Sequence, residues 1–211
     1  MSENQIGLSK RILAIGAHPD DVELSCGGTL AKYAKEGRDI FVLFLTKGEM
    51  ISNNNGVDRV EESTRALSIL GIQHFEFGNL RDTEIYEELQ KAISVIENFC
   101  QKLSPQRVYT MSGSDSHQDH WATYMATIAA CRNVSQLLCY ETPSTSPSFT
   151  PNIFEDITSF LELKVKAIIN HRTQQKKSYM SRDTTVIRAK FRGLQINVGA
   201  AEAFEVYRFL L

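Results

Sequence analysis

Short apolar runs alternate with stretches of helical period over the first 141 positions of this chain. The runs 11–17 (RILAIGA), 39–46 (DIFVLFLT), 73–77 (QHFEF), 107–111 (RVYTM) and 136–140 (QLLCY) predict strands. The first two are almost continuously apolar, as parallel strands covered on both faces must be. Between them lie helical patterns. One helix-like segment runs from about Thr29 to Glu36. Segment 57–70 puts Val57, Val60, Thr64, Leu67 and Leu70 on one stripe, with Gly71 at its end as a C-cap. Segment 83–103 repeats the pattern with Ile85, Leu89, Ala92, Ile96, Phe99 and Leu103, and 120–132 offers Trp121, Tyr124, Met125 and Ile128.

Strands alternating with helices of this length predict right-handed βαβ units and an α/β fold with a doubly wound, mostly parallel sheet, strand order 3-2-1-4-5. In that order strands 1 and 4 are neighbours and the chain reverses between them, which places the ligand crevice outside their carboxyl ends. After Glu141 the alternation breaks. Residues 142–151, rich in Pro, Ser and Thr, predict a long loop, 159–175 a helix on Leu161, Val165, Ile168 and Ile169, and 184–211 mixes helix and strand signals without an order. The expectation is one domain over 1–211, with a core at about 11–141 and C-terminal additions over 142–211. Loops 47–56, 78–82, 112–117 and 142–151 all follow strands and should rim the same crevice.

Composition narrows the class. A chain of 211 residues with 42% hydrophobic and 23% charged residues is ordinary for a soluble globular protein. A net charge of −2 gives no support to nucleic-acid binding or to a basic membrane contact. Residues 1–10 are polar and lack the apolar centre of a signal peptide, and no apolar run approaches the ~20 residues that span a bilayer. Four cysteines, at 26, 100, 131 and 139, form no CxxC pair, and three of them sit in apolar helix or strand patterns and read as buried free thiols. A cytoplasmic protein is expected.

The chemistry is concentrated in two clusters. Ala17-His18-Pro19-Asp20-Asp21 follows strand 1, and Ser116-His117-Gln118-Asp119-His120 follows strand 4 and enters a helix at about Gln118. Taken singly, each has an ordinary explanation: Asp20 or Asp21 capping a helix, or Ser116 or Asp119 doing so beside solvated histidines. The predicted strand order brings the two clusters together, and metal ligation then explains both. A turn at Pro19 can aim His18 and Asp21 at one point, and two histidines three apart at a helix start face roughly the same way. Two imidazoles and a carboxylate with positions left open describe a catalytic rather than a structural site, suited to one divalent cation, Zn2+ or Fe2+, between which the residues do not choose. Such a cation lowers the pKa of bound water. Asp20 is placed to take the proton, the spare histidine, read as His117, to meet a developing oxyanion as imidazolium, and Asp119 to orient one imidazole of its own cluster.

AHPDD followed by GGTLA, TKGE at 46–49, Arg59 with Glu62, and HxDH together resemble the PIG-L (LmbE-like) N-acetylglucosamine deacetylase family. The likeness runs from Ile12 to about Ala130 and continues more weakly through AIINHRTQ and AEAF. It implies a Rossmann-like fold and a Zn- or Fe-dependent site that removes acetyl groups from amino-sugar conjugates. It implies metal binding by His18, Asp21 and His120, Asp20 as general base, His117 as oxyanion-stabilising group and Asp119 as its electrostatic support. Two positions depart from the pattern: Gln118 replaces a proline, and Ile51 replaces a glycine in loop 47–56.

Arg59 and Arg81 are candidates for an anionic or sugar part of the substrate, against surface ion pairs, and Glu49 and Asp82 for its hydroxyls. His171 reads as a surface histidine and His74 as structural. The expected function is hydrolytic removal of an N-acetyl group from a glucosamine-type sugar or conjugate. Removal of another acyl group such as formyl, phosphoester hydrolysis, or a non-enzymatic binding or phosphoacceptor module are the alternatives. The partner is a small amino-sugar conjugate, with no nucleic acid or membrane insertion, and a homo-oligomer is compatible with this reading.

Overall fold

Arg11–Gly16 forms β1, and every residue of it after Arg11 is buried. In this computed structural model, which describes residues 11–51 and 56–210, β1 lies inside a seven-stranded sheet. Asp39–Phe44 (β2) and Arg107–Met111 (β4) flank it in parallel. His74–Phe77 (β3) continues the parallel sheet beyond β2, and Gln136–Tyr140 (β5) continues it beyond β4. The expected order 3-2-1-4-5 is present as part of 3-2-1-4-5-7-6. Residues 1–10 and, within loop 47–56, residues 52–55 lie outside the described residues, as does the side chain of Ile51.

The last two strands come from the tail that the sequence pattern left unordered. Ala201–Phe209 (β7) runs antiparallel to β5, and Ile153–Asp156 (β6) runs antiparallel to β7. The first four residues of β7 are all buried and the rest are mixed, so no clean two-residue alternation marks it.

Among the described residues six α-helices cover the sheet: Asp21–Lys35 (α1), Val57–Ile69 (α2), Leu89–Leu103 (α3), Gln118–Ala130 (α4), Leu161–Ile169 (α5) and Arg182–Gln195 (α6). Three differ from expectation in an informative way. α1 starts eight residues before Thr29, because Gly27 and Gly28 are helical here and the break falls at Cys26, with φ −131°. Glu202 of β7 accepts bonds from the amides of Gly28 (2.9 Å) and Thr29 (2.7 Å), satisfying the backbone at that break. A Cβ on Gly28 would lie 2.8 Å from Ile157 Cδ1, so the close approach needs glycine. α3 starts at Leu89, since 83–88 forms turns that begin with Thr83 at φ 72°. In α2 the inward face is Arg59, Glu62, Ser63, Ala66 and Leu67. It is polar at its N-terminal end, where Val57 stays 48% exposed. The expected apolar stripe is displaced because this end of α2 packs on charged groups.

The core is formed by Leu13, Ile15, Val42, Phe44, Val108, Leu137, Leu138 and Phe204 with their neighbours, all buried. Past the end of β1 the ladder continues: Leu45 N donates to Gly16 O and Thr46 N to Ala17 O, each at 2.9 Å. The backbone that leads into His18 is thereby fixed. Among the described residues no helix is long and apolar enough to cross a membrane.

Candidate metal centre

The two sequence clusters meet where β1 and β4 end side by side. After Ala17 the chain turns, with Asp21 N donating to His18 O, and the Asp21 carboxylate accepts from His18 N at 2.7 Å. Asp20, between them, has φ 121°, a conformation that non-glycine residues rarely adopt. On the other side His117 caps α4: its Nδ1 accepts from Asp119 N at 3.2 Å. That bond places the ring proton of neutral His117 on Nε2, free to donate.

Asp21 is the meeting point. Its Oδ1 lies 3.3 Å from His120 Nε2 and its Oδ2 3.4 Å from His18 Nδ1. The far nitrogen of each imidazole is held by carboxylates. His18 Nε2 faces Asp82 Oδ1 at 3.0 Å and Asp119 Oδ2 at 3.1 Å, and His120 Nδ1 faces Asp115 Oδ2 at 3.1 Å. Carboxylates behind histidines in this way fix the tautomer and turn the other nitrogen's lone pair towards a cation. His117 stacks on His120 with ring centroids 4.4 Å apart, and donor atoms of His18, His117 and His120 all lie within 4.8 Å of one another. Mixed nitrogen and carboxylate donors fit a zinc-like divalent cation.

The electrostatics agree with that fit. Burial disfavours the charged form of His18, but bonds to Asp119, Asp21 and Asp82 outweigh it and raise the pKa well above the usual value. For His120 burial is likewise outweighed, chiefly by Asp21 and Asp115, and the pKa is raised to about 9. Burial would raise Asp21, yet the two imidazoles hold it well below the carboxylate range. Asp115 is lowered to about 2, against its burial, by His120, Thr142 and the His117 amide. Buried carboxylates here demand positive charge, which protons supply when no cation is bound. His117 differs: burial and the neighbouring His120 and His18 lower its pKa, so it stays neutral.

Asp20 and Asp21 are both 6% exposed, and Asp20 is held from behind. Arg59 Nη2 donates to Asp20 Oδ2 (3.1 Å) and to Pro19 O (2.8 Å), and Nη1 to Gly48 O (3.4 Å). Arg59 is buried, which overturns the alternative of a surface ion pair for it; Arg81 is the exposed one, paired with Glu84. Asp82 is also buried, and its amide donates to Glu49 Oε1 at 2.9 Å. The Asp119 carboxylate closes on His18 and on the amides of Thr83 (2.7 Å) and Ile85 (3.2 Å), rather than on an imidazole of its own cluster. His171 is fully buried instead of being a surface residue, with Nε2 3.3 Å from Glu23 Oε1. Ser63 donates to the same Glu23 oxygen at 2.5 Å, and Glu62 accepts from Thr173. This network is what the polar end of α2 packs against. His74 lies on exposed β3, stacked on Phe41.

One central residue escaped the sequence reading. Asp115 stands in loop 112–117, five residues before His120, and no periodicity marks it. Its partners Thr142 Oγ1 (2.5 Å) and Ser144 Oγ (2.7 Å) come from loop 142–151, so only the fold assembles them.

A doubly wound sheet whose switch point gathers three imidazoles, two of them backed by carboxylates, defines the class: an α/β protein with a His–Asp centre that fits a divalent cation. Residues 13–131 match the family model described as PIG-L: GlcNAc-PI de-N-acetylase, and the chain belongs to that family. The uncharacterized deacetylase YaiS of Escherichia coli strain K12 is 43% identical over 78% of this chain and 91% of its own. Diacetylchitobiose deacetylase of Thermococcus kodakarensis is 29% identical over 78% of this chain and 70% of its own. The crystal structure of the conserved protein TT1542 from Thermus thermophilus superposes with a TM-score of 0.85, at 26% identity, covering 95% of this chain and 96% of that one.

Proposed function

We propose that this protein is a metal-dependent hydrolase that removes the N-acetyl group from a glucosamine-type sugar or sugar conjugate, releasing acetate and a free amine. The observation that carries this reading is Asp21 set between His18 Nδ1 and His120 Nε2, with carboxylates behind both rings. Family membership and the deacetylase names of YaiS and the Thermococcus protein support the reaction type. His18, Asp21 and His120 would hold one divalent cation, zinc first and ferrous iron second. When bound, the cation supplies Lewis acidity towards the acetamide carbonyl and makes water a better nucleophile.

The remaining work belongs to side chains of this protein. Asp20 takes the proton of the attacking water and returns it to the departing amine nitrogen. Arg59 fixes the direction of the Asp20 carboxylate. His117 donates from Nε2 to the carbonyl oxygen as it becomes an oxyanion, and it does so as a neutral imidazole rather than an imidazolium. Asp119 acts on His18 and on the turn at 83–85. Glu49 and Asp82 serve the site from the 47–56 and 78–82 loops; Asp82 orients His18 more directly than it meets substrate hydroxyls. A cytoplasmic setting belongs to the same reading, supported by four cysteines outside any disulfide.

The test is amine release from N-acetylglucosamine and its conjugates by protein loaded with zinc or ferrous iron, against a chelated control. Metal-dependent release is expected. Absence of release from every N-acetylated sugar by protein shown to hold one metal would overturn the substrate class.

A further inference from the structure

Cys100, in the last turn of α3, and Cys131, the residue after α4, bring their sulfur atoms to 3.3 Å. Both backbones are anchored. Cys131 N donates to Thr127 O at 2.8 Å and Cys131 O accepts from Arg208 Nη1 at 2.9 Å. Cys100 closes the last turn of α3, with its carbonyl accepting from Ser104 N at 2.8 Å. The two thiols differ in access. Cys131 is 1% exposed, while Cys100 is half-buried and lines an open cleft with Glu97, Gln101, Pro105, Arg132 and Asn133. An S–S bond of about 2.05 Å asks the sulfurs to close by ~1.2 Å, a displacement within reach of side-chain rotation.

We propose that Cys100 and Cys131 form a reversible disulfide by exchange with a low-molecular-weight disulfide that enters this cleft. Either thiol can donate to the other across this contact; Cys100, half-buried and lining the cleft, is the one a small disulfide reaches, which makes it the attacking group. Its thiolate attacks one sulfur of the small disulfide, breaking that S–S bond and expelling one thiolate, which takes up the proton Cys100 gave up. Cys131 then loses its proton and attacks Cys100 Sγ, expelling the second small thiol. Two protein thiols are oxidised by two electrons and one small disulfide is reduced to two thiols. Cys26 and Cys139 are buried outside this cleft, and they stay reduced.

The consequence is mechanical. The bond closes a ring between positions 31 apart, and that ring holds β4, Asp115, His117, Asp119 and His120. Oxidation thus braces the half of the metal centre that comes from β4 and α4, from the opposite end of α4, without touching a ligand. The thiol pair and its exchange chemistry stand apart from the hydrolytic reading.

The experiment treats the folded protein with oxidised glutathione, quenches with acid, and reads intact mass, thiol count after denaturation and a peptide map. The expected result is loss of two hydrogens, a fall from four titratable thiols to two, and a 100–131 cross-linked peptide. The melting temperature should rise by several degrees and return on reduction with dithiothreitol. Cys131→Ser should instead stop at a stable mixed disulfide on Cys100, and Cys100→Ser should remain unmodified. Four titratable thiols in the treated wild type, or a mixed disulfide that persists on wild-type Cys100, would overturn the proposal.

Discussion

The guanidinium of Arg59 holds both the carboxylate of Asp20 and the carbonyl of Pro19 with a single nitrogen, at 3.1 and 2.8 Å. It is buried on α2, and it clamps a residue whose backbone sits at φ 121° between His18 and Asp21. A planar fork is required for this, since Nη1 also reaches Gly48 O. Arg59→Lys keeps the charge and loses the fork. It should lower kcat by ~10²-fold, as small misplacements of a catalytic group do, with metal content by elemental analysis unchanged. Full activity in the Arg59→Lys variant would remove Arg59 from the machinery.

Asp20→Asn tests the base itself. The side chain keeps its shape and the ligands stay in place, so one metal per chain should remain while kcat falls by about 10²–10⁴-fold. Wild-type turnover in this variant would refute the assignment, and loss of metal would mean that Asp20 is a ligand.

Asp115 is the largest single addition that the structure makes to the site. Its carboxylate takes His120 Nδ1, the His117 amide, Thr142 and Ser144. Asp115→Ala should weaken metal affinity by about 10–100-fold in competition with a chelator, although the residue touches no cation. Affinity equal to wild type would show that the packing around His120 orients it alone.

Two of the shifted groups, His120 and Asp115, define pH windows of stability in the chelated protein. His120 is raised to about 9 from an ordinary 6.5, so the stability it adds is full below about pH 6.5 and lost as pH rises through 9. Asp115 is lowered to about 2 from 3.8, so its contribution is present above about pH 3.8 and lost as pH falls through 2. Chelated protein should therefore melt several degrees lower at pH 9 than at pH 6. Metal-loaded protein, whose ligand nitrogens must be deprotonated, should show the alkaline loss much reduced. A flat melting profile between pH 6 and 9 after chelation would contradict the raised His120.

Glu202 joins Lys164 Nζ at 2.5 Å to the amides of Gly28 and Thr29, all out of solvent. Glu202→Ala leaves a buried ammonium and two amides without an acceptor. A loss of about 3–5 kcal/mol in denaturant unfolding is expected, the usual cost of breaking a buried pair from one side. A loss below about 1 kcal/mol would mean that water replaces the carboxylate.

How much of this was legible in the residues depends on locality. β1 and β2 announce themselves as continuous apolar runs, and the alternation with helices fixes the parallel order that brings His18 beside His120. β7 stayed hidden because its burial follows from packing against β5 and β6, far back along the chain, and not from its own alternation. The start of α1 was displaced by the two glycines, whose helical conformation is stabilised by Glu202 from near the other end of the sequence. His171 looked like a surface residue because its partner Glu23 belongs to α1, and Asp115 is singled out only by hydroxyls that loop 142–151 delivers. The proposed ligands sit in motifs; the groups that aim them are scattered.

The bonds from Gly28 and Thr29 to Glu202 cross 174 and 173 positions of chain. On a ribosome adding about 5–20 residues per second, the carboxylate emerges roughly 9–35 s after the amides it must cap. During that interval α1, whose first residue is Asp21, hangs on an unfinished joint, and during its second half the residues of both clusters have been made. Translation order therefore leaves this joint of α1 to the end: a nascent fragment ending before β7 carries both motifs, while the amides of Gly28 and Thr29 still lack their acceptor.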